Sequence, residues 1–91
     1  MTSKPQITNA KTYHAALDEV RALMVTYRAA HETVGEARRM LADARTAGDR
    51  EYTRERERIY RQVAVSRQAI LREANELNDW VNAHQRFCFE D

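Results

Sequence analysis

The residues best suited to chemistry lie towards the two ends of the chain. His84 and Cys88 are four positions apart, which places an imidazole and a thiol on one face of a helix, a spacing able to hold zinc. His14 is the candidate third ligand. Because no second cysteine, CxxC or HExxH motif accompanies them, we expect no metal and no cofactor. The preferred interpretation is an aromatic cap in which these side chains pack against Trp80, with a metal site as the weaker alternative.

A cysteine beside a histidine also raises the question of nucleophilic catalysis. Such a site needs a base, an orienting group and a cleft, and a thin helical chain offers no obvious cleft. The glutamates lack the ExxH motif of di-metal carboxylate bundles, and no glycine-rich phosphate loop is present. The sequence therefore predicts a protein that is not an enzyme.

A second set of residues combines tyrosines with arginines. Aromatic faces stack on bases and guanidinium groups bind phosphates, so a nucleotide or oligonucleotide held between protomers is an alternative function. At helical spacing, however, tyrosines are more often core residues. The residues that would bind the nucleotide are Tyr13, Arg21, Tyr27, Arg28 and Arg67.

The elements that would position these residues meet near the middle of the chain. Gly48 suits the left-handed C′ position that closes a helix, and Asp49 suits the N-cap of the next helix. On both sides, apolar residues recur in steps of three and four. The pattern predicts an all-α fold, an antiparallel two-helix hairpin with long helices at about 9–47 and 49–87.

The ends of the chain complete this organisation. Pro5 disfavours an earlier helix start, so 1–8 is predicted to be a flexible N-terminal lead, with Thr8 or Asn9 as the N-cap. Residues 9–91 are predicted to form a single helical-hairpin domain.

The turn also sets an expected pairing between the helices. Residue i of the first helix should lie beside a residue near 96 minus i of the second, which brings apolar residues together at most levels. His31 then lies opposite Ser66, and Arg38 lies near Glu55 or Ile59. We interpret His31 and Ser66 as a polar layer that fixes register at some cost in stability.

The first helix carries a second face made of small, uncharged residues. Only 16 of the 91 residues are Leu, Ile, Val or Phe, so a hairpin alone has a thin core, and self-association is the expected remedy. A small-residue face allows another helix to approach closely. We therefore predict association into a helical bundle, most simply a dimer of hairpins, through Ala15, Ala22, Thr26, Ala29, Thr33 and Met40.

The charge pattern argues against a general attraction to polyanions. Thirteen arginines and two lysines face fourteen acidic residues, a net charge of +1. Residues 50–61 interleave five arginines with three glutamates, which favours a solvated, salt-bridge-laced arm because alternating signs cancel at phosphate distance. No stretch is long and apolar enough for a membrane span, and no secretory h-region is present, so a cytoplasmic protein is expected.

The leading functional hypothesis is a small non-enzymatic interaction protein, an adaptor or inhibitor that binds itself and a larger protein. Compact, arginine-rich chains of this kind are common among bacterial and phage accessory proteins, which is a resemblance of style alone. Exposed aromatic and arginine side chains dominate interface energetics. The alternatives are a nucleotide or nucleic-acid binder using arginines of 50–67, and a purely structural coiled-coil assembly. The expected protein-binding residues are Tyr60, Trp80, Phe87, Arg54, Arg58 and Arg61.

Overall fold

The computed structural model describes residues 4–90 and consists of two long helices with a short helical appendage. Helix α1 spans Ala10–Ala47, α2 spans Arg50–Ala83, and a 3-10 helix spans Gln85–Phe87. The prediction of an all-α antiparallel hairpin is confirmed, and the described residues include no strand. Within the same residues, neither long helix carries an apolar stretch that could cross a membrane.

Helix α1 begins at a reciprocal cap. The Asn9 side-chain oxygen accepts a hydrogen bond from the Thr12 amide at 3.0 Å, and the Thr12 hydroxyl oxygen accepts one from the Asn9 amide at 3.1 Å. The Asn9 carbonyl also accepts from the Tyr13 amide at 2.9 Å. Asn9, one of the two predicted residues, is therefore the N-cap, and its contacts satisfy donors that the first turn of a helix leaves unpaired.

The reversal between the helices forms as the local sequence predicts. Gly48 has a φ of +76°, and its amide lies 3.2 Å from the carbonyl oxygens of both Ala44 and Arg45. The Asp49 carboxylate then accepts from the Tyr52 amide at 3.1 Å, which caps α2. A left-handed residue followed by an N-cap ends one helix and starts the next within two residues.

The second helix was predicted to end at about residue 87; α2 itself ends at Ala83, and the 3-10 helix continues the helical structure to Phe87. The His84 ring donates from Nδ1 to the Trp80 carbonyl at 2.8 Å, the acceptor that the His84 amide would use in a continuing helix. The His84 amide bonds instead to the carbonyl of Val81 at 3.0 Å. The tighter bonding continues through the 3-10 helix, and the carbonyl of Glu90 accepts from the amide of Ala10.

The chain divides into two compact units, and we describe each separately. The terminal unit combines Met1–Val25 with Leu71–Asp91. Its core contains one residue from the lead, three from α1 and two from α2, with Leu17, Leu23, Trp80, Phe87 and Cys88 packed against them. The six core residues are Ile7, Tyr13, Ala16, Val20, Leu77 and Val81.

The described part of the lead contributes to this core, which the prediction of a flexible segment over 1–8 did not include. Ile7 is only 5% exposed. The Trp80 indole donates to the Pro5 carbonyl at 2.7 Å, and the Lys4 ammonium lies 5.3 Å from the centre of the Trp80 ring. A half-buried indole needs an acceptor, and the lead supplies it. Residues 1–3 of the predicted lead lie outside the described residues, and the single domain over 9–91 stays a prediction.

The turn unit, Thr26–Ile70, has a thinner core. Its buried residues all come from α1, while the apolar residues of α2 that face them, such as Ile59 and Val63, are half-buried. Two of the four buried side chains are alanines, so little apolar surface is removed from water. The four residues are Val34, Ala37, Leu41 and Ala44.

The pairing expected in this unit is close to the observed one, with one partner exchanged. Nη1 of Arg67 donates to His31 Nδ1 at 3.2 Å, whereas Ser66 is exposed. The expected opposition of His31 and Ser66 was therefore wrong by one residue, which on a helix is a rotation of about 100°. Likewise, Arg38 donates to the Tyr60 hydroxyl at 3.5 Å. His31 is itself exposed, so its contact with Arg67 lies at the edge of the helix pair and is not a buried layer.

Candidate binding surfaces

The small-residue face of α1 is exposed in both units. In the terminal unit it comprises Ala15 and Ala22; in the turn unit it comprises Thr26, Ala29, Thr33 and Met40. The Thr33 hydroxyl donates to the Ala29 carbonyl at 3.1 Å, so its polar group is satisfied within its own helix. Apart from Met40, these exposed residues have short side chains, and none of the six is charged.

The predicted aromatic anchors are largely engaged inside their own units. Trp80 and Phe87 pack against the core of the terminal unit, and the Trp80 indole already donates to Pro5. Tyr60 is half-buried in the turn unit, where its hydroxyl accepts from Arg38. All three therefore offer less free surface than an interface anchor does.

The arginines predicted to bind a partner have the opposite character. Arg54, Arg58 and Arg61 are exposed along α2, and Arg50 precedes them on the same helix. An open concavity lies near the turn. It is lined by the arginines Arg45, Arg50 and Arg54 together with Gly48, Thr53 and Glu57. Of these, Arg45 is held by Glu57 at 3.2 Å.

The histidine and cysteine cluster forms an aromatic group. The rings of Trp80 and His84 have centres 4.2 Å apart, and His84 stacks on Phe87 at 6.2 Å. The second histidine, His14, lies with Nε2 3.2 Å from the Cys88 carbonyl oxygen. Both imidazoles are thus bonded to backbone carbonyls, and residues 4–90 contain no group of three His, Cys, Asp or Glu side chains placed to hold a metal ion.

The residues of the nucleotide alternative do not form a common site within either unit. Tyr13 is 7% exposed in the core of the terminal unit, so its face is not available to a base. In that unit Arg21 pairs with Asp18 at 3.3 Å. In the turn unit Arg67 bonds to His31, and exposed Arg28 lies beside half-buried Tyr27 on α1.

Two guanidinium groups of α2 have unusual positions. The Nε atoms of Arg56 and Arg67 are buried without a hydrogen-bond partner in the described structure. The Nη1 atoms of both side chains do make contacts. Arg56 lies over the Tyr52 ring at 4.9 Å and reaches the Met40 sulfur at 3.7 Å. An unpaired buried donor lowers stability. Any stabilisation from these two arginines therefore comes from the packing of their aliphatic stems.

Sequence reasoning missed several exposed apolar residues. Phe89 is 94% exposed, Val65 is 70% exposed and Val25 is 63% exposed. The position of Val65 on α2 could have been read from the helical period, since it lies away from the stripe of Ile59 and Val63. No sequence signal identifies Phe89 as exposed, because it follows the unexpected end of α2.

Comparison with known proteins adds no further constraint. No protein-family model, curated protein or solved structure matches the chain. The functional argument therefore rests on the surfaces described above.

Proposed function

We propose that this chain is a small, non-enzymatic interaction protein that acts in the cytoplasm as a homo-oligomeric helical bundle. The observation that carries the proposal is the exposed small-residue face of α1, whose six residues are all uncharged. In the turn unit this face consists of Thr26, Ala29, Thr33 and Met40. Small side chains allow a second helix to approach at the distances of about 8–10 Å seen between packed helices.

The composition of the turn-unit core points the same way. Its buried residues are two alanines, a valine and a leucine, all from α1. Deeper burial of the exposed alanines of α1 by a second copy would add apolar contacts that the unit lacks. A dimer of hairpins is the simplest arrangement, because most soluble oligomers are two-fold symmetric.

A larger protein partner remains part of the proposal, with the protein acting as an adaptor or inhibitor. The arginines Arg54, Arg58 and Arg61 are available for it, whereas Trp80 and Phe87 are engaged in the core. The alternative is an assembly whose only partner is itself. Capture of a partner from native cells by the wild-type chain, but not by a variant with these arginines replaced, would favour the adaptor.

The self-association is tested by placing a charge on the small-residue face. Ala29→Glu puts a carboxylate at the centre of the proposed contact, and two-fold symmetry places a second one nearby. Like charges in an interface cost several kcal/mol, so we expect the dimer dissociation constant to rise roughly 100-fold. Sedimentation velocity over a range of protein concentrations measures this change.

The matched control is Ala42→Glu. Ala42 is also an exposed alanine of α1 in the turn unit, and it lies about 140° around the helix from Ala29. The control should self-associate like the unmodified protein. Equal loss of association in both variants, or none in Ala29→Glu, would contradict the assignment of this face.

A further inference from the structure

Four arginines of the turn unit share one face of α2. Arg50, Arg54, Arg58 and Arg61 are separated by four, four and three residues, which places them within an arc of about 80° and along about 16 Å of helix. All four are exposed. We call them the arginine row.

The row carries charge that its neighbours do not neutralise. In the described residues, the recorded ion pairs are Arg21 with Asp18 and Arg45 with Glu57, so no row arginine has a carboxylate within 4 Å. Glu57, which borders the row on one side, is drawn to Arg45 at 3.2 Å. Exposed Glu51 borders the row on the other side without a recorded ion pair to it, so of the salt bridges expected along 50–61 the described residues show the pair of Glu57 with Arg45.

The charge of the unit reinforces this local pattern. The turn unit contains ten arginines and seven acidic residues, a net charge of +3, whereas the rest of the chain carries five basic and seven acidic residues, a net charge of −2. The near-neutral total of +1 conceals this difference. A basic patch on one part of a chain is the usual electrostatic sign of a polyanionic partner.

The chemistry of the row favours phosphates over other anionic partners. A protein interface combines arginines with apolar or aromatic anchors, and interfacial helices bury an apolar face in lipid, but all four row residues are arginines. The two tyrosines near the row are engaged elsewhere: Arg56 lies over the Tyr52 ring at 4.9 Å, and half-buried Tyr60 accepts a hydrogen bond from Arg38. Without an aromatic platform for unstacked bases, a duplex backbone fits better than a single strand.

We propose that the arginine row binds the phosphate backbone of double-stranded nucleic acid without reading its sequence. The row lies on α2, whereas the proposed contact between copies lies on α1, so duplex binding does not depend on self-association; it competes with the adaptor role for Arg54, Arg58 and Arg61. Engagement of four phosphates releases condensed counterions, and the logarithm of the affinity should fall against the logarithm of salt concentration with a slope of about −3.6.

The test measures binding of the full-length protein to a fluorescently labelled 20-base-pair DNA duplex by anisotropy between 50 and 200 mM salt. The unmodified protein should lose on the order of 100-fold in affinity over this range. Combined Arg54→Gln, Arg58→Gln and Arg61→Gln changes should reduce affinity at 50 mM salt at least tenfold and bring the slope to about −1. Combined replacement of the same three by lysine should retain most of the slope.

The control carries the same loss of charge on α1, through Arg21→Gln, Arg28→Gln and Arg39→Gln. All six positions are exposed, so both glutamine variants should keep the helical circular dichroism of the unmodified protein. The control should retain the row's affinity and slope. Equal losses in both variants, or a slope shallower than −1 for the unmodified protein, would overturn the proposal. Tighter binding to polyglutamate or to anionic lipid vesicles than to the duplex would overturn it as well.

Discussion

The two glycines offer a test that separates backbone conformation from packing. Gly35 lies within α1 and Gly48 closes it, and a Cβ added at either position would meet no other atom within 4 Å. Steric contact with neighbours is therefore the same for both. The difference is that Gly48 has a φ of +76°, whereas Gly35 is part of a continuous helix.

The expected effects have opposite signs. Gly35→Ala should stabilise the protein by about 1 kcal/mol, because alanine loses less backbone entropy in a helix than glycine does. Gly48→Ala should destabilise it by about 1–2 kcal/mol, because an L-residue in the left-handed region brings Cβ close to its own backbone. The two variants should therefore differ by about 2–3 kcal/mol in free energy of unfolding.

Thermal and urea unfolding monitored by circular dichroism measure this difference. For a chain of this size, 1 kcal/mol corresponds to about 4–8 °C in Tm, so the two variants should melt more than about 8 °C apart. Protein concentration must be held constant because self-association would shift Tm. Stabilisation by both substitutions would refute the left-handed turn at Gly48, and destabilisation by Gly35→Ala would refute the uninterrupted, uncrowded helix at Gly35.

The remaining predictions concern core packing, capping and the lead, and urea unfolding checks each of them. Val81→Ala should lower the free energy of unfolding by about 2 kcal/mol because Val81 is fully buried, whereas the same change at Val65, which is 70% exposed, should alter it by less than about 0.5 kcal/mol. Asp49→Ala should lower it by about 1 kcal/mol through loss of the N-cap, and Asp49→Asn should recover most of that loss. Trp80→Phe removes the donor to the Pro5 carbonyl and should cost about 1 kcal/mol from that bond. A neutral result for Val81→Ala, Asp49→Ala or Trp80→Phe would contradict the corresponding contact.

The turn could be predicted from sequence because its determinants are local. The left-handed glycine and the capping aspartate act on adjacent backbone groups, so Gly48 and Asp49 place the reversal to within one residue. Periodicity likewise identifies buried residues such as Val34 and Leu41. Counting from the turn predicts the pairing of the helices to within about two residues. That accuracy is enough to identify the apolar faces that pack together, but it placed Ser66 opposite His31, where the structure has Arg67.

The chain ends could not be predicted in the same way. Helix α2 ends at Ala83, where the His84 ring donates to the Trp80 carbonyl, a side-chain contact without a sequence signature. The lead is joined to the rest of the unit by a bond between residues 75 positions apart, in which the Trp80 indole donates to the Pro5 carbonyl. The arginine row is different, because the helical period alone places its four residues on one face, whereas along the sequence of 50–61 the same arginines alternate with glutamates.

The central claim is that this protein associates with itself through α1. Light scattering coupled to size-exclusion chromatography tests this claim most directly. The unmodified chain is measured at concentrations from about 5 to about 500 µM, which lie within the range of about 1 µM to 1 mM for dissociation constants of moderate affinity. We predict a mass that rises with concentration from 10.6 kDa towards at least twice that value. A mass of 10.6 kDa throughout, from a chain with full helical content, would contradict the claim.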